Sequence, residues 1–143
     1  MITLNDVKAA AGEISSYVRR TPLWKSETLS TRLGTNVYLK MEMFQKTGSF
    51  KPRGAFNQML ARGKDALDKG AVAISGGNFA QGVAYASRML GVDAIICMPE
   101  DTPQNYIDAT RGYSATIDLS PDIQTAIIRY NDLADQGRAA LHP

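Results

Sequence analysis

Apolar residues recur along this chain with two spacings, and segments of the two kinds alternate. Leu4, Val7, Ala11, Ile14 and Val18 follow the three-and-four spacing of one helix face. Thr3 followed by Asp6 resembles a capping box, so a helix is predicted over 3–18. Arg20-Thr21-Pro22-Leu23 breaks it, because a residue before proline is pushed out of helical geometry. A short helix over Ser26–Leu33 ends at Gly34, and Val37, Leu39 and Met41 alternate as in a strand over 37–42. The next helix begins with Ser49 as N-cap and Pro52 in its first turn, and carries Ala55, Phe56, Met59 and Leu60 inward. Beyond Gly63 and Gly70 come a strand at Ala71–Ile74, a helix over Phe79–Leu90 and a strand at Ala94–Met98. Thr102 as N-cap and Pro103 as first helical residue open a helix to about Tyr113. A strand at Ala115–Leu119, a helix over Pro121–Gln136 and the start of a strand at Ala139–Leu141 complete the series. Strands alternating with helices of about 10–15 residues imply βαβ units. The predicted fold class is α/β, an open, mostly parallel twisted sheet flanked by helices.

Composition narrows the function. The 143 residues are 44% hydrophobic and 21% charged, suited to one compact domain with its own core. A net charge of +2, with lysine and arginine dispersed, gives no ground for a nucleic-acid or anionic membrane partner. No apolar run approaches the ~20 residues of a membrane span, and the N-terminus lacks an export pattern, so a cytoplasmic location is expected. One cysteine, Cys97, excludes an internal disulfide, and its apolar surroundings point to packing. With His142 as the one histidine, clustered zinc sites and Cys–His catalytic pairs have nothing to be built from. The chemistry must come from a lysine, hydroxyls, carboxylates or a bound cofactor.

Two stretches are candidates for it. Lys51 falls in the first turn of a predicted helix, where the positive end of the dipole disfavours an ammonium group. Such a lysine is a candidate nucleophile towards carbonyls. A solvated lysine beside a turn is the alternative. Ser75-Gly76-Gly77-Asn78 lies at a strand-to-helix junction, where open α/β sheets bind ligands and a helix start suits an anion. A tight turn is the alternative there.

Resemblance adds to both. Thr47–Ala55, TGSFKPRGA, resembles the cofactor-lysine motif of the threonine dehydratase and serine racemase family, which are fold-type II enzymes dependent on pyridoxal 5'-phosphate (PLP). The resemblance implies that Lys51 holds the cofactor aldehyde as a Schiff base and acts as the base, while Phe50 packs on the cofactor ring. Ser75–Gly82, SGGNFAQG, is similar to the family block SSGNHAQG. It implies that Ser75, Gly76, Gly77 and Asn78, with Phe79 beside them, form the loop for a substrate carboxylate, and that Asn78 bonds the cofactor's phenolic oxygen. Gly76 stands where serine racemase-like members carry an acid/base serine, and Phe79 replaces a histidine. These departures argue against racemisation and for a bulkier or less polar substrate than serine or threonine. Arg20–Leu23, Pro99–Pro103, Ile107–Arg111 and Leu141-His142-Pro143 extend the resemblance along most of the chain.

The implied activity is that of an ammonia-lyase (dehydratase) removing water and ammonia from a β-hydroxy amino acid such as threonine or serine, or a larger analogue. One branch of the family acts in hydroxyectoine breakdown and is a candidate. Against the family pattern, residues 1–45 correspond to a segment packed on a large domain and 46–143 to a small domain. A large C-terminal domain with the phosphate-binding glycine loop is absent, so a fragment that is inactive alone, exposed apolar patches and a homo-oligomer are expected. A catalytically incomplete binding or interaction module is the alternative. A nucleotide-binding domain lacks support, since neither a Walker-type nor a G-x-G-x-x-G pattern occurs.

Overall fold

The capping box at the N-terminus forms as the sequence requires. The structure is a computed structural model describing residues 1–142; Pro143, the last of the closing Leu141-His142-Pro143 run, lies outside them. Helix α1 (Leu4–Glu13) opens with the Thr3 hydroxyl accepting from the Asp6 N–H, and the Asp6 carboxylate accepting from the Thr3 N–H at 2.7 Å. It ends well before residue 18, because Ile14 closes the helix and the Ser15 hydroxyl donates to Gly12 O at 2.7 Å. Leu4 and Val7 remain exposed, and of the predicted face only Ile14 is fully buried.

Strand β1 (Leu23–Lys25), which no periodicity announced, pairs antiparallel with β2 (Tyr38–Lys40). Helix α2 (Glu27–Leu33) lies between them, capped by the Ser26 hydroxyl and stopped by Gly34 in the left-handed region at φ 64°. The strand expected over 37–42 is shorter, because Glu42–Phe44 closes into a 3-10 turn.

From α3 (Lys51–Arg62) onward strands and helices alternate as predicted: β3 (Ala71–Ile74), α4 (Asn78–Leu90), β4 (Ala94–Pro99), α5 (Gln104–Arg111), β5 (Thr116–Ser120), α6 (Ile123–Asp135) and β6 (Ala139–Leu141). The four strands pair in parallel in the order β5-β4-β3-β6, with Val72 opposite Ile95 on one side and Ala140 on the other. Alternation divides the core. Ala71, Ala73, Ile96, Met98 and Leu141 face Phe56, Met59 and Val83 of α3 and α4, whereas Val72 and Cys97 pack under Ala126, Tyr130 and Leu133 of α6. Apolar runs on both faces are what a parallel sheet covered twice demands. Burial pushes the Cys97 thiol up to about 11, so the lone cysteine is a packing residue. Among the described residues no helix is long and apolar enough to cross a membrane.

A polar clasp ties the N-terminal segment to α3. Arg53 grips Glu42 with two bonds of 2.9 Å, the Thr21 hydroxyl donates to Glu42 at 2.5 Å, and Arg53 also donates to Arg19 O at 3.0 Å. Gln45 bonds both the N–H and the C=O of Arg19 at 2.8 and 2.9 Å. Beside it the Tyr17 ring stacks on Phe56 at 4.6 Å between centroids. The Arg53 bonds hold the Glu42 carboxyl below its ordinary range, against burial, which raises it; the Thr21 bond adds to the lowering.

Because the native carboxyl titrates below the unfolded one, its stabilisation is full above the ordinary glutamate pKa and is lost as pH falls through the depressed native value. Glu42→Gln is expected to cost about 2 kcal/mol near neutral pH, the scale of hydrogen bonds to a charged group. Denaturant unfolding of both proteins as a function of pH checks this: the difference should be constant above pH about 5 and shrink below about 4.

Candidate active site

Helices α4 and α5 begin directly after the C-terminal ends of β3 and β4, and the start of α3 lies at the same edge, since Gly82 near the start of α4 meets Lys51 and Pro52. Open α/β sheets offer that edge to ligands. Lys51 is the first residue of α3, reached through a turn in which Gly48 takes φ 71°. The N-cap is Phe50, without a side-chain bond, and not Ser49. A cap from Ser49 would be aimed at the third helical residue, which is Pro52 and has no N–H to give. The Ser49 hydroxyl is buried instead, with no partner, as is that of Thr47.

The expected cap at Thr102 is also displaced. Pro103 at φ −55° and ψ 134° is the N-cap of α5, and the helix starts at Gln104. The Thr102 hydroxyl is buried and makes no hydrogen bond.

The 75–78 loop follows β3 directly. Its Ser75 N–H donates to Cys97 O at 3.1 Å, which continues the sheet pairing, and the Ser75 hydroxyl accepts from the Gly77 N–H at 3.2 Å. Gly77 is the N-cap of α4 and Asn78 its first residue, with no side chain covering the free N–H groups. Away from this edge α1 and α2 are capped by Thr3 and Ser26, and α6 is capped by Asp122. Uncovered donors at the start of a long helix form an anion-binding surface.

Gly82 joins the two loops into one site. A Cβ there would lie 3.1 Å from both the carbonyl carbon and the Cβ of Lys51 and 3.2 Å from Pro52 N. Glycine thus lets α4 touch the backbone of α3 at the lysine. The Lys51 amine then lies 5.0 Å from the centroid of the Phe50 ring and 5.8 Å from that of Phe79, within the range of a cation–π contact. Phe50 is exposed and leaves an aromatic face free, whereas Phe79 is buried in the core against α3. The structure therefore gathers Phe50, Lys51 and Phe79 directly and sets Ser75, Gly76, Gly77 and Asn78 in the turn before Phe79. The sequence alone assigns Gly82 and Thr102 no role in the site. Gly82 was visible as the last residue of SGGNFAQG, but its reason, the backbone of another helix at Lys51, was not.

Residues 14–143 match the family model described as pyridoxal-phosphate dependent enzyme. The chain belongs to that family. It is similar to the catabolic L-threonine dehydratase of Staphylococcus aureus strain USA300, 41% identical over 146 residues that cover all of this chain and 42% of the relative. Among solved structures it resembles the serine racemase of Dictyostelium discoideum (TM-score 0.90, 35% identity, 99% of this chain and 47% of that one). It also resembles the processed form of threonine deaminase isoform 2 from Solanum lycopersicum (TM-score 0.83, 35% identity, 99% and 43%). The chain thus spans less than half the length of these relatives. The family and cofactor class implied by the two motifs are those found, and so is the mostly parallel α/β fold.

Gly82→Ala tests the contact that assembles the site. Overpacking against backbone is expected to lower stability by about 1–3 kcal/mol and to displace Lys51. Denaturant unfolding, together with the reactivity of Lys51 towards an aldehyde, reads both effects.

Proposed function

We propose that this chain carries the lysine-bearing half of the active site of a PLP-dependent ammonia-lyase acting on a β-hydroxy amino acid. The observation that carries the reading is Lys51 at an uncapped helix start, held by Gly82 beside the uncovered donors of the 75–78 loop. The residues suit the cofactor: a primary amine for its aldehyde at Lys51, a free aromatic face at Phe50, and an amide donor at Asn78. Bound PLP supplies an electrophilic aldehyde and a ring that takes up electrons.

In this reading the N–H groups at the start of α4 bind the substrate carboxylate and orient its α-carbon towards Lys51. The Lys51 amine removes the α-proton and delivers a proton to the departing β-hydroxyl, so that one group serves as base and then as acid. Water leaves in the elimination and a water molecule hydrolyses the imine that the released enamine becomes, so the net products are ammonia and a 2-oxo acid. Phe79, where the family block has a histidine, is buried in the core and leaves the loop without that polar group; this favours a substrate less polar than serine, and a hydroxyectoine-derived amino acid is one such candidate.

Residues 1–45 pack on a further domain and 46–143 form the small domain. The exposed Leu4, Val7, Leu23, Trp24, Leu39, Met43 and Phe44 support this division, since so many apolar side chains in one segment call for a covering surface. A homo-oligomer is part of the same proposal.

Treating the protein with PLP, reducing with borohydride and mapping peptides by mass should give one adduct, on Lys51. Lys51→Ala should abolish it and lower turnover at least about 10³-fold. Diffuse labelling would instead support the binding-module reading.

A further inference from the structure

Glycine at position 76 is not required by the backbone. Among the described residues the glycines with positive φ are 34, 48, 63, 70, 91 and 137, and Gly76 is not one of them. What excludes a side chain is Thr102, in the turn between β4 and α5. A Cβ on Gly76 would lie 2.8 Å from the Thr102 Oγ1 and 3.3 Å from its Cγ2. The threonine hydroxyl fills the space that a side chain at 76 would take.

That hydroxyl is not employed in holding the fold. Thr102 is only 7% exposed, its Oγ1 has no hydrogen-bond partner, and it does not cap α5. The turn itself is held by the backbone, with the Thr102 N–H donating to Pro99 O at 3.0 Å. A buried hydroxyl without a partner destabilises a folded protein, so its presence points to a partner that arrives from outside. The group it abuts is the loop whose helix start offers uncovered donors to an anion.

We infer that Thr102 is a further substrate-binding residue of the 75–78 loop: its hydroxyl hydrogen-bonds the bound amino-acid carboxylate, and Gly76 leaves the room that admits it. The inference rests on reading that loop as the carboxylate site. It adds a residue from a second βα turn, so the site draws on both β3 and β4. It also gives Gly76 a role in specificity, because the threonine methyl and hydroxyl together define the wall there.

Replacing Thr102 by valine keeps the shape and removes the hydroxyl. In the ligand-free protein Thr102→Val should raise Tm, because an unpartnered buried polar atom is gone. In the PLP-loaded protein it should weaken L-threonine, used as the probe amino acid and followed by the cofactor's visible absorption, about tenfold, the scale of one hydrogen bond to a charged group. Thr102→Ser should retain the affinity. Gly76→Ser should lower Tm in the wild-type background and be tolerated in Thr102→Ala. A fall in Tm for Thr102→Val would show that the hydroxyl serves the fold and would overturn the inference. Unchanged affinity in that variant, or equal cost of Gly76→Ser in both backgrounds, would overturn it equally. A wild-type protein with no borohydride adduct on Lys51 defeats the lyase reading itself; the two Tm comparisons then still decide whether the Thr102 hydroxyl is unused by the fold.

Discussion

The close approach of α4 to α3 at Gly82 is the contact from which the candidate site follows. A parallel sheet places the ends of its strands and the starts of the following helices along one edge, but it does not by itself bring a preceding helix into register with them. That register is set where the Gly82 backbone meets Lys51 and Pro52, with Phe56, Met59 and Val83 packed beneath as part of the same core. Interiors at crystal-like density transmit a displacement of tenths of an ångström, so the position of the lysine depends on the absence of one methyl group.

Polar satisfaction differs across the molecule, and the difference has a direction. The helix starts remote from the lysine are closed by Thr3 and Ser26, and the start of α6 by Asp122. The starts of α3, α4 and α5 carry no side-chain cap, and the hydroxyls of Thr47, Ser49 and Thr102 around them are buried without partners. Each missing cap and each unpaired hydroxyl lowers the stability of the free protein. Their concentration at the two loops and the adjoining turn is what a site prepared for an anionic, hydrogen-bonding ligand requires.

The N-terminal segment follows another logic. It has local order from its capping box, its two-strand ribbon and its short helix, yet most of its apolar side chains face outward. The clasp of Arg53, Glu42 and Thr21 holds it to α3, together with the packing of Ile14 and Tyr17 against the core beside Phe56. Such an attachment fixes the segment's position while its outward apolar side chains stay exposed.

Helices α2 and α6, the strand pattern after residue 70 and the parallel character of the sheet were legible in the sequence, because caps, periodicity and β-branched runs act between residues close along the chain. The two motifs were legible as short strings for the same reason, and they carried the family and its cofactor. Strand β1 was not: three residues pair only because β2 is beside them. The placement of β6 beside β3 was likewise settled in three dimensions, where α6 crosses the face opposite α3 and α4 and delivers β6 to that edge. Ser49 and Thr102 are the instructive cases. Both read as helix caps by residue type, and in the fold neither caps, because Pro52 offers no N–H and Pro103 takes the cap position itself. What their hydroxyls do instead is decided by neighbours distant in sequence, as is the need for glycine at 76 and 82. Hydrogen bonds and excluded volume act through space, so these choices exist only once the chain has folded.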